Sequence, residues 1–268
     1  MIVKRNPIRG TDKKKLPPLV VLLLLVVIVI LVKLSFFTPE SGTESAESKT
    51  ENSSVSAESD DSAESDKEKK EVVCLDPGHG GIDLGASASG IVEKEINLFV
   101  ATEIRKSLEA SNYQVFLTRT TNEESLSRAD RYEFCNQKKA SILVSIHHNT
   151  YEDDSSVDYS TALYYTEADQ ILSGRILDRV AEKLSLRNAG IAFFNSGILS
   201  KSAMPATILE SFFITNKNEQ NLLAESDERL ILEAIAIAEG INDYFALPKD
   251  YQPPIDSNPL VIDRADYN

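Results

Sequence analysis

Basic side chains are scarce in this sequence. Its 28 lysines and arginines stand against 42 aspartates and glutamates, so the net charge is −14 and the isoelectric point about 4.7. Proteins that bind nucleic acid neutralise the phosphate backbone with stripes of Lys and Arg, and the sequence has no such stripe. We therefore expect no nucleic-acid partner.

Cysteine is equally rare, since only Cys74 and Cys135 occur. Two cysteines exclude a disulfide-rich scaffold. Cys74 lies in an apolar run and Cys135 in a segment of helical pattern, so we expect two buried thiols. A disulfide between them needs a close approach that sequence does not reveal, so their pairing stays open at this point.

Long apolar runs are absent except for one near the N-terminus. Residues 16–37 carry a single charge, Lys33, and extend about 33 Å as a helix, enough to span a bilayer. The basic segment 1–15 precedes this run and acidic residues follow it. The charge asymmetry predicts a cytoplasmic N-terminus, a transmembrane anchor at 16–37 and an exported remainder. The alternative is a signal peptide, after whose cleavage the protein is secreted.

Residues 38–70 consist mainly of Ser, Glu, Asp and Thr, with almost no apolar side chain. Such a segment buries too little surface to offset its chain entropy. We expect a disordered acidic linker that extends by self-repulsion.

Segments of strand and helix pattern alternate over residues 71–247. The runs "EVVCLD", "YQVFLTR", "SILVSI", "TALYYT" and "PATILE" have the composition of strands, and amphipathic segments lie between them. This alternation predicts an α/β domain with a mostly parallel or mixed sheet of about six strands, flanked by helices. Residues 248–268 are rich in Pro and Asp, and we expect a flexible tail.

Histidine occurs only three times, and its placement is the main functional signal. His79 and His147 follow predicted strands, Glu210 ends another, and Glu93 opens a predicted helix. Ligand crevices of open α/β sheets lie beyond the carboxyl ends of the strands, so these side chains should converge. His148 points to the opposite side if its strand continues, and is left out of the set.

Two histidines and a glutamate match the ligands of a catalytic zinc ion, which keeps one position for water. The fourth group, a carboxylate that is not a ligand, can take a proton from that water and return it to a leaving amine. Each residue also has a plain structural alternative. A histidine at a strand end is often only hydrogen-bonded, and a glutamate in a first helical turn is favoured by the helix dipole.

Several motifs in order resemble the zinc-dependent N-acetylmuramoyl-L-alanine amidases, the type 3 amidases of bacterial cell walls. They are "LDPGHGGIDLGA", "GIVEKEINL", "VFLTR", "SILVSIHHN" and the region around "PATILESFF". The resemblance covers about Val72 to Phe245. It departs at Ser211, where the family usually has glycine after the catalytic glutamate.

The resemblance implies one Zn²⁺ held by His79, Glu93 and His147, with Glu210 as the catalytic residue. Residues in the same motifs, Asn97, Asn149 and Arg119, are then candidates for substrate binding or support. The implied substrate is peptidoglycan, cut between N-acetylmuramic acid and L-alanine during cell-wall remodelling.

Two other functions remain open at this point. A zinc peptidase could cut within the stem peptides, and a module without catalysis could bind the wall or regulate another enzyme. The sequence names no activator protein.

Overall fold

The computed structural model describes residues 70–248, Tyr251 and the backbone of residues 260–261. The expected anchor at 16–37, the linker up to residue 69 and most of the tail lie outside these residues. Among the described residues, no helix has the length and apolar character needed to cross a membrane.

A seven-stranded mixed sheet forms the centre of the domain, in the order β4-β1-β5-β8-β6-β7-β9. Neighbouring strands run parallel except β6 and β8, which are antiparallel. The strands are β1 (Val72–Pro77), β4 (Gln114–Leu117), β5 (Ile142–Asn149), β6 (Ser160–Tyr164), β7 (Asn188–Phe193), β8 (Ala206–Phe213) and β9 (Leu260–Val261), and a separate hairpin pairs β2 (Ser87–Ala88) with β3 (Ile91–Val92).

Helices cover both faces of this sheet. They are α1 (Glu93–Ala110), α2 (Arg128–Gln137), α3 (Glu167–Leu184), α4 (Gly197–Ser200), α5 (Lys217–Glu225) and α6 (Glu228–Phe245). The larger core packs α1, α3 and α6 against one face, and the smaller core packs α2 and α4 against the other. Burial on both faces explains why β5 is a nearly continuous apolar run. The predicted α/β class and mixed sheet are confirmed.

Some local predictions need correction. β5 and β8 were expected to end at His147 and Glu210, but they continue to Asn149 and Phe213, since β8 carries the buried residues Phe212 and Phe213. The sequence analysis also did not predict β7, α4 or α5. β7 has only one fully buried residue, Ala192, so its apolar pattern is weak.

Both cysteines are buried, as expected, but they are not thiols, and the pairing that the sequence left open is present. Cys74 on β1 and Cys135 on α2 form a disulfide, with their Cα atoms 5.7 Å apart. Both side chains belong to the smaller core, where α2 lies directly against β1. The packing of an element 61 residues further along the chain creates this approach, and a local sequence pattern does not show it.

Candidate metal centre

Three side chains from distant parts of the chain converge at the carboxyl edge of the sheet. His79 lies in the loop after β1, Glu93 is the first residue of α1 and His147 is near the end of β5. One ligand atom from each lies within 4.8 Å of the others. The chain leaves β1 towards β4 on one side, whereas β5 lies on the other side of β1. The cluster therefore occupies the kind of switch point at which open α/β sheets bind ligands.

The backbone around His79 has an unusual conformation. His79 itself has a φ of 61°, in the left-handed region that side chains other than glycine seldom adopt. Gly78 before it packs so closely that a Cβ atom there would stand 2.3 Å from the ring of His147. A Cβ on Gly85 would likewise stand 2.5 Å from a carboxylate oxygen of Glu93. Glycine at 78 and 85 therefore allows the backbone to approach two of the three candidate ligands.

The donor set fits a zinc ion. His79 Nε2 and His147 Nδ1 each lie 3.1 Å from the Oε1 atom of Glu93. A tetrahedral zinc ion with bonds near 2.1 Å keeps its ligand atoms about 3.4 Å apart, close to these two distances, and all three ligand atoms lie within 4.8 Å of one another. Two imidazoles and one carboxylate are also ligands that zinc accepts in catalytic sites.

Charge is concentrated on Glu93. Burial alone would raise the pKa of its carboxyl, but hydrogen bonds and charge from His147 and His79 hold that pKa well below the ordinary value. Burial lowers the pKa of His79, yet Glu93 and Asp83 outweigh it and raise the pKa to about 9. The carboxylate is thus ionised and ready to hold a cation at neutral pH.

Asp83 orients the ring of His79. Its Oδ2 atom lies 2.9 Å from His79 Nδ1, while its Oδ1 accepts a hydrogen bond from the amide of Gly85. At neutral pH both ring nitrogens carry protons, and because Asp83 holds the proton on Nδ1, the proton that a metal ion would displace is the one on Nε2, which faces the cluster. A carboxylate in this position behind a histidine ligand is a common feature of metal sites. Asp83 lies within the motif "LDPGHGGIDLGA" but was not among the predicted site residues.

Two buried arginines hold the loop that carries His79. Arg119 donates hydrogen bonds to the carbonyl oxygens of Pro77 and Gly78, and Arg131 donates to those of Pro77 and His79. Asp76 balances the charge by accepting a hydrogen bond from Arg131 at 2.8 Å.

Arg119 is charged at neutral pH. Burial and the neighbouring Arg131 lower the pKa of Arg119 only to about 10. Burial raises the pKa of Asp76, but the charge of Arg131 and hydrogen bonds from Thr118, Ser145 and Arg131 bring it below the ordinary value. Arg119, predicted to bind substrate or give support, is 1% exposed and bonded to backbone, which indicates support. Arg131 was not predicted.

Asn97 also supports the cluster. It is fully buried on α1, and its Nδ2 atom lies 3.3 Å from both Glu93 Oε1 and the carbonyl oxygen of Gly78. Its Oδ1 atom lies 2.7 Å from His148 Nδ1. His148 points to the other side of β5 from His147, as predicted, and stays outside the ligand set.

Glu210 lies beside His147. The two residues are register partners in the parallel pair β5 and β8, so their side chains project from the same face. Glu210 is 1% exposed. The structure therefore brings the predicted catalytic carboxylate next to a candidate ligand.

Asn149 and Ser211 lie where the pairing of β5 with β8 becomes irregular. Asn149 lies two residues beyond His147, and its Oδ1 accepts a hydrogen bond from the amide of Thr150 at the end of the strand. The register between β5 and β8 shifts after His147, which gives β8 one extra residue before Phe213. Ser211 lies in this bulge, and its hydroxyl donates to Glu233 on α6.

An open cleft of about 310 Å³ leads from the cluster across the surface of the smaller core. His79, Asp83 and His147 line one part of it, together with Asp76, Leu126, Arg128, Arg131, Ser145, Ser196, Ile198 and Ile208. The cleft gives an extended substrate access to the candidate ligands.

Comparison with known proteins identifies this site's relatives. The family model described as "Amidase_3: N-acetylmuramoyl-L-alanine amidase" matches residues 73–243, a range that contains all three candidate ligands and Glu210. "Probable cell wall amidase LytH" of Staphylococcus epidermidis is 30% identical over 190 residues, 70% of this chain and 62% of that protein. The chain thus spans less than two thirds of the length of that curated relative.

A solved structure and a phage protein are also similar to this chain. The N-acetylmuramoyl-L-alanine amidase AmiC2 of Nostoc punctiforme superposes with a TM-score of 0.62 and 30% identity, covering 66% of this chain and 98% of that one. The endolysin of Bacillus phage SPP1 is 33% identical over 66% of this chain and 67% of its own length. The family match covers more than half of the chain. The chain therefore belongs to the N-acetylmuramoyl-L-alanine amidase family, type 3.

Proposed function

We propose that this protein is a zinc-dependent hydrolase that cuts peptidoglycan between N-acetylmuramic acid and L-alanine. The observation that carries the proposal is the convergence of His79, Glu93 and His147, with Glu210 beside His147. The names of its relatives, an N-acetylmuramoyl-L-alanine amidase and a cell wall amidase among them, support the choice of bond.

His79, Glu93 and His147 would hold the metal ion. When bound there, zinc supplies Lewis-acid chemistry, since it polarises a carbonyl oxygen and lowers the pKa of water towards 7. Asp83 fixes the tautomer of His79, and Asn97 fixes the carboxylate of Glu93. The protein thus fixes the directions of the ligand groups before the metal arrives, and binding would displace the proton from His79 Nε2.

Glu210 acts as the general base and then as the general acid. Its carboxylate takes a proton from the attacking water and gives it to the amine of the departing L-alanine. This transfer requires a carboxylate close to the metal that is not itself a ligand, and Glu210 is the neighbour of His147 across the sheet. The cleft beside His79 and His147 is open, so a substrate longer than the cleft would extend beyond it.

The place of action is the outer side of the cytoplasmic membrane. We propose that residues 16–37 anchor the chain there and that residues 38–70 act as a tether for the catalytic domain. The charge asymmetry around 16–37 supports this orientation. The disulfide between Cys74 and Cys135 also supports export, because such bonds persist in oxidising compartments.

The experiment is digestion of purified peptidoglycan by the full-length, zinc-loaded chain, with the new amine identified by mass spectrometry. New N-terminal L-alanine supports the proposal. A new amine further along the stem peptide indicates a zinc peptidase instead, and no product indicates a module without catalysis. Removing zinc with a chelator should abolish digestion, and returning zinc should restore it.

The variant Glu210→Gln tests the proposed acid and base. It should bind zinc as the wild type does and lose at least about a hundredfold in rate. Glu152→Gln, an exposed residue in the loop after β5, is the matched control. Unchanged digestion by Glu210→Gln would remove Glu210 from the mechanism.

A further inference from the structure

A fully buried ion pair lies directly behind the metal centre. His148 Nε2 on β5 is 3.0 Å from Glu233 Oε2 on α6, and both side chains are 0% exposed. Desolvation makes a buried pair of this kind costly, so its stabilising effect is often no greater than that of apolar side chains. Stability alone therefore does not account for this ion pair, and the residues that it contacts indicate its role.

The hydrogen bonds of Asn97 show which way its amide faces. Its Nδ2 atom lies 3.3 Å from two acceptors, Glu93 Oε1 and the carbonyl oxygen of Gly78. If the amide were turned over, its oxygen would face these two oxygens instead and repel them. The Oδ1 atom of Asn97 therefore faces His148 Nδ1, at 2.7 Å, and Nδ1 must carry a proton.

Glu233 holds His148 in that state from the other side. Its Oε2 atom faces His148 Nε2, and its Oε1 accepts a hydrogen bond from the hydroxyl of Ser211 at 2.6 Å. Both oxygens of Glu233 thus have a fixed partner. Ser211 occupies the position at which the family motif usually has glycine, so its hydroxyl adds a contact that glycine lacks.

The contacts form a continuous series from α6 to the metal centre. Glu233 contacts His148, His148 contacts Asn97, and Asn97 donates to Glu93 Oε1. That oxygen lies 3.1 Å from both His79 Nε2 and His147 Nδ1. The backbone amide of His148 donates to the same oxygen at 3.1 Å, so His148 reaches Glu93 by two routes.

We propose that Glu233 and His148 are positioning residues of the metal centre, which orient Asn97 so that its amide holds Glu93 in the ligand conformation. This inference rests on the proposed zinc site. Both side chains are 0% exposed and lie behind Asn97, so they act on Glu93 through Asn97 and not on the substrate. Supporting residues behind metal ligands typically change metal affinity by about 10- to 100-fold when they are removed.

The test measures zinc affinity of the full-length chain by competition with a chromophoric chelator, with thermal unfolding of the zinc-free protein recorded alongside. The double variant His148→Leu, Glu233→Leu replaces both partners by apolar side chains and leaves no buried unpaired charge. Its zinc dissociation constant should rise by about 10- to 100-fold, because Asn97 loses the donor that fixes its amide. Glu233→Gln keeps a polar partner for His148, and its affinity should lie between those of the wild type and the double variant.

The matched control removes another ion pair of the same helix. Lys183 and Glu239 join α3 to α6 at 2.8 Å without contacting the cluster, so Lys183→Leu, Glu239→Leu should leave zinc affinity unchanged. A role in stability alone would lower the unfolding temperature of the His148, Glu233 double variant and leave its zinc affinity at the wild-type value. That result would overturn the proposal.

A second variant covers the case in which the double variant does not fold. Asn97→Leu removes the side-chain donor to Glu93, which is the last contact in the series, and leaves the ion pair in place. It should weaken zinc binding by at least about tenfold. Wild-type zinc affinity in Asn97→Leu would likewise refute the inference. If the wild type itself binds no zinc, the proposed function fails, which is a different outcome from a variant that binds as tightly as the wild type.

Discussion

Arg131 donates a hydrogen bond from Nη2 to the carbonyl oxygen of His79 at 2.7 Å. His79 has left-handed backbone geometry, which costs on the order of 1–3 kcal/mol for a residue with a side chain. Arg131 offsets part of this cost, because it fixes the carbonyl of the strained residue and that of Pro77. The arginine is therefore a structural support of a candidate metal ligand, although it lies 52 residues away in sequence.

Replacing Arg131 by methionine should destabilise the protein strongly. The change leaves the buried carboxylate of Asp76 without its cation, and breaking a buried pair in this way costs about 3–5 kcal/mol. Urea unfolding of the zinc-free, full-length chain measures the loss. Arg105→Met is the control, since Arg105 pairs with Glu109 at the surface and such pairs contribute at most about 1 kcal/mol. Equal losses in the two variants would contradict the importance of the buried pair.

The fold was predictable because its signals are local. The apolar run of β5 and the amphipathic pattern of α1 reflect burial, which is visible in sequence at a fixed period. The order of the candidate ligands along predicted strand ends was enough to bring His79, Glu93 and His147 together, and the family motifs named the same residues.

Arg119 and Asn97 were marked by the family motifs, but the other supporting residues were not predictable in the same way. Arg131, Asp76 and Glu233 reach the centre only because α2 and α6 pack against particular strands, and nothing in their own segments marks those contacts. The pairing of Cys74 with Cys135 has the same origin. Asp83 is the exception, since a carboxylate four residues after a candidate histidine ligand is a signal that the sequence does contain.

Asp83→Asn should weaken zinc binding by about 10- to 100-fold. The single oxygen of asparagine can accept from the Gly85 amide or from His79 Nδ1, but the carboxylate accepts from both. An amide nitrogen turned towards Nδ1 would favour the tautomer with a proton on Nε2, which cannot bind metal. Chelator competition measures the change, with Asp153→Asn at an exposed site as the control. Unaltered affinity would show that Asp83 does not set the tautomer.

Removing the disulfide should lower the free energy of unfolding by about 2–4 kcal/mol. The bond closes a loop of 61 residues and joins β1 to α2, the two elements that Asp76 and Arg131 also connect. The double variant Cys74→Ala, Cys135→Ala should therefore unfold at lower urea concentration than the oxidised wild type.

A reducing agent provides the control for this prediction. It should destabilise the wild type and leave the double variant unchanged. Alkylation followed by mass spectrometry should find no free thiol in the oxidised protein, and two modified cysteines there would show that the pair does not form.

The raised pKa of Asp158 should make the free energy of unfolding depend on pH. Burial raises the pKa of its carboxyl, and the charge of Glu219 and a hydrogen bond to it raise it further, to about 7. Two other groups face this pair of carboxyls. The backbone amide of Phe213 donates a hydrogen bond to Asp158, and Arg229 forms an ion pair with Glu219. An unfolded aspartate releases its proton near 3.8, so the folded state binds more protons between this value and about 7. The contribution of Asp158 to the free energy of unfolding therefore falls as the pH rises through this window.

Asp158→Asn should remove this dependence. Asparagine donates to Glu219 as the protonated acid does, and its oxygen accepts from the Phe213 amide at every pH. The variant should be more stable than the wild type, by a margin that widens from pH 5 to about pH 7 and then stays constant. Urea unfolding of the zinc-free chain at pH 5, 6, 7 and 8 measures the difference, with Asp153→Asn in the same loop as the control. A constant difference between variant and wild type across this range would show that Asp158 titrates near its ordinary value, because only a raised pKa makes the gap widen with pH.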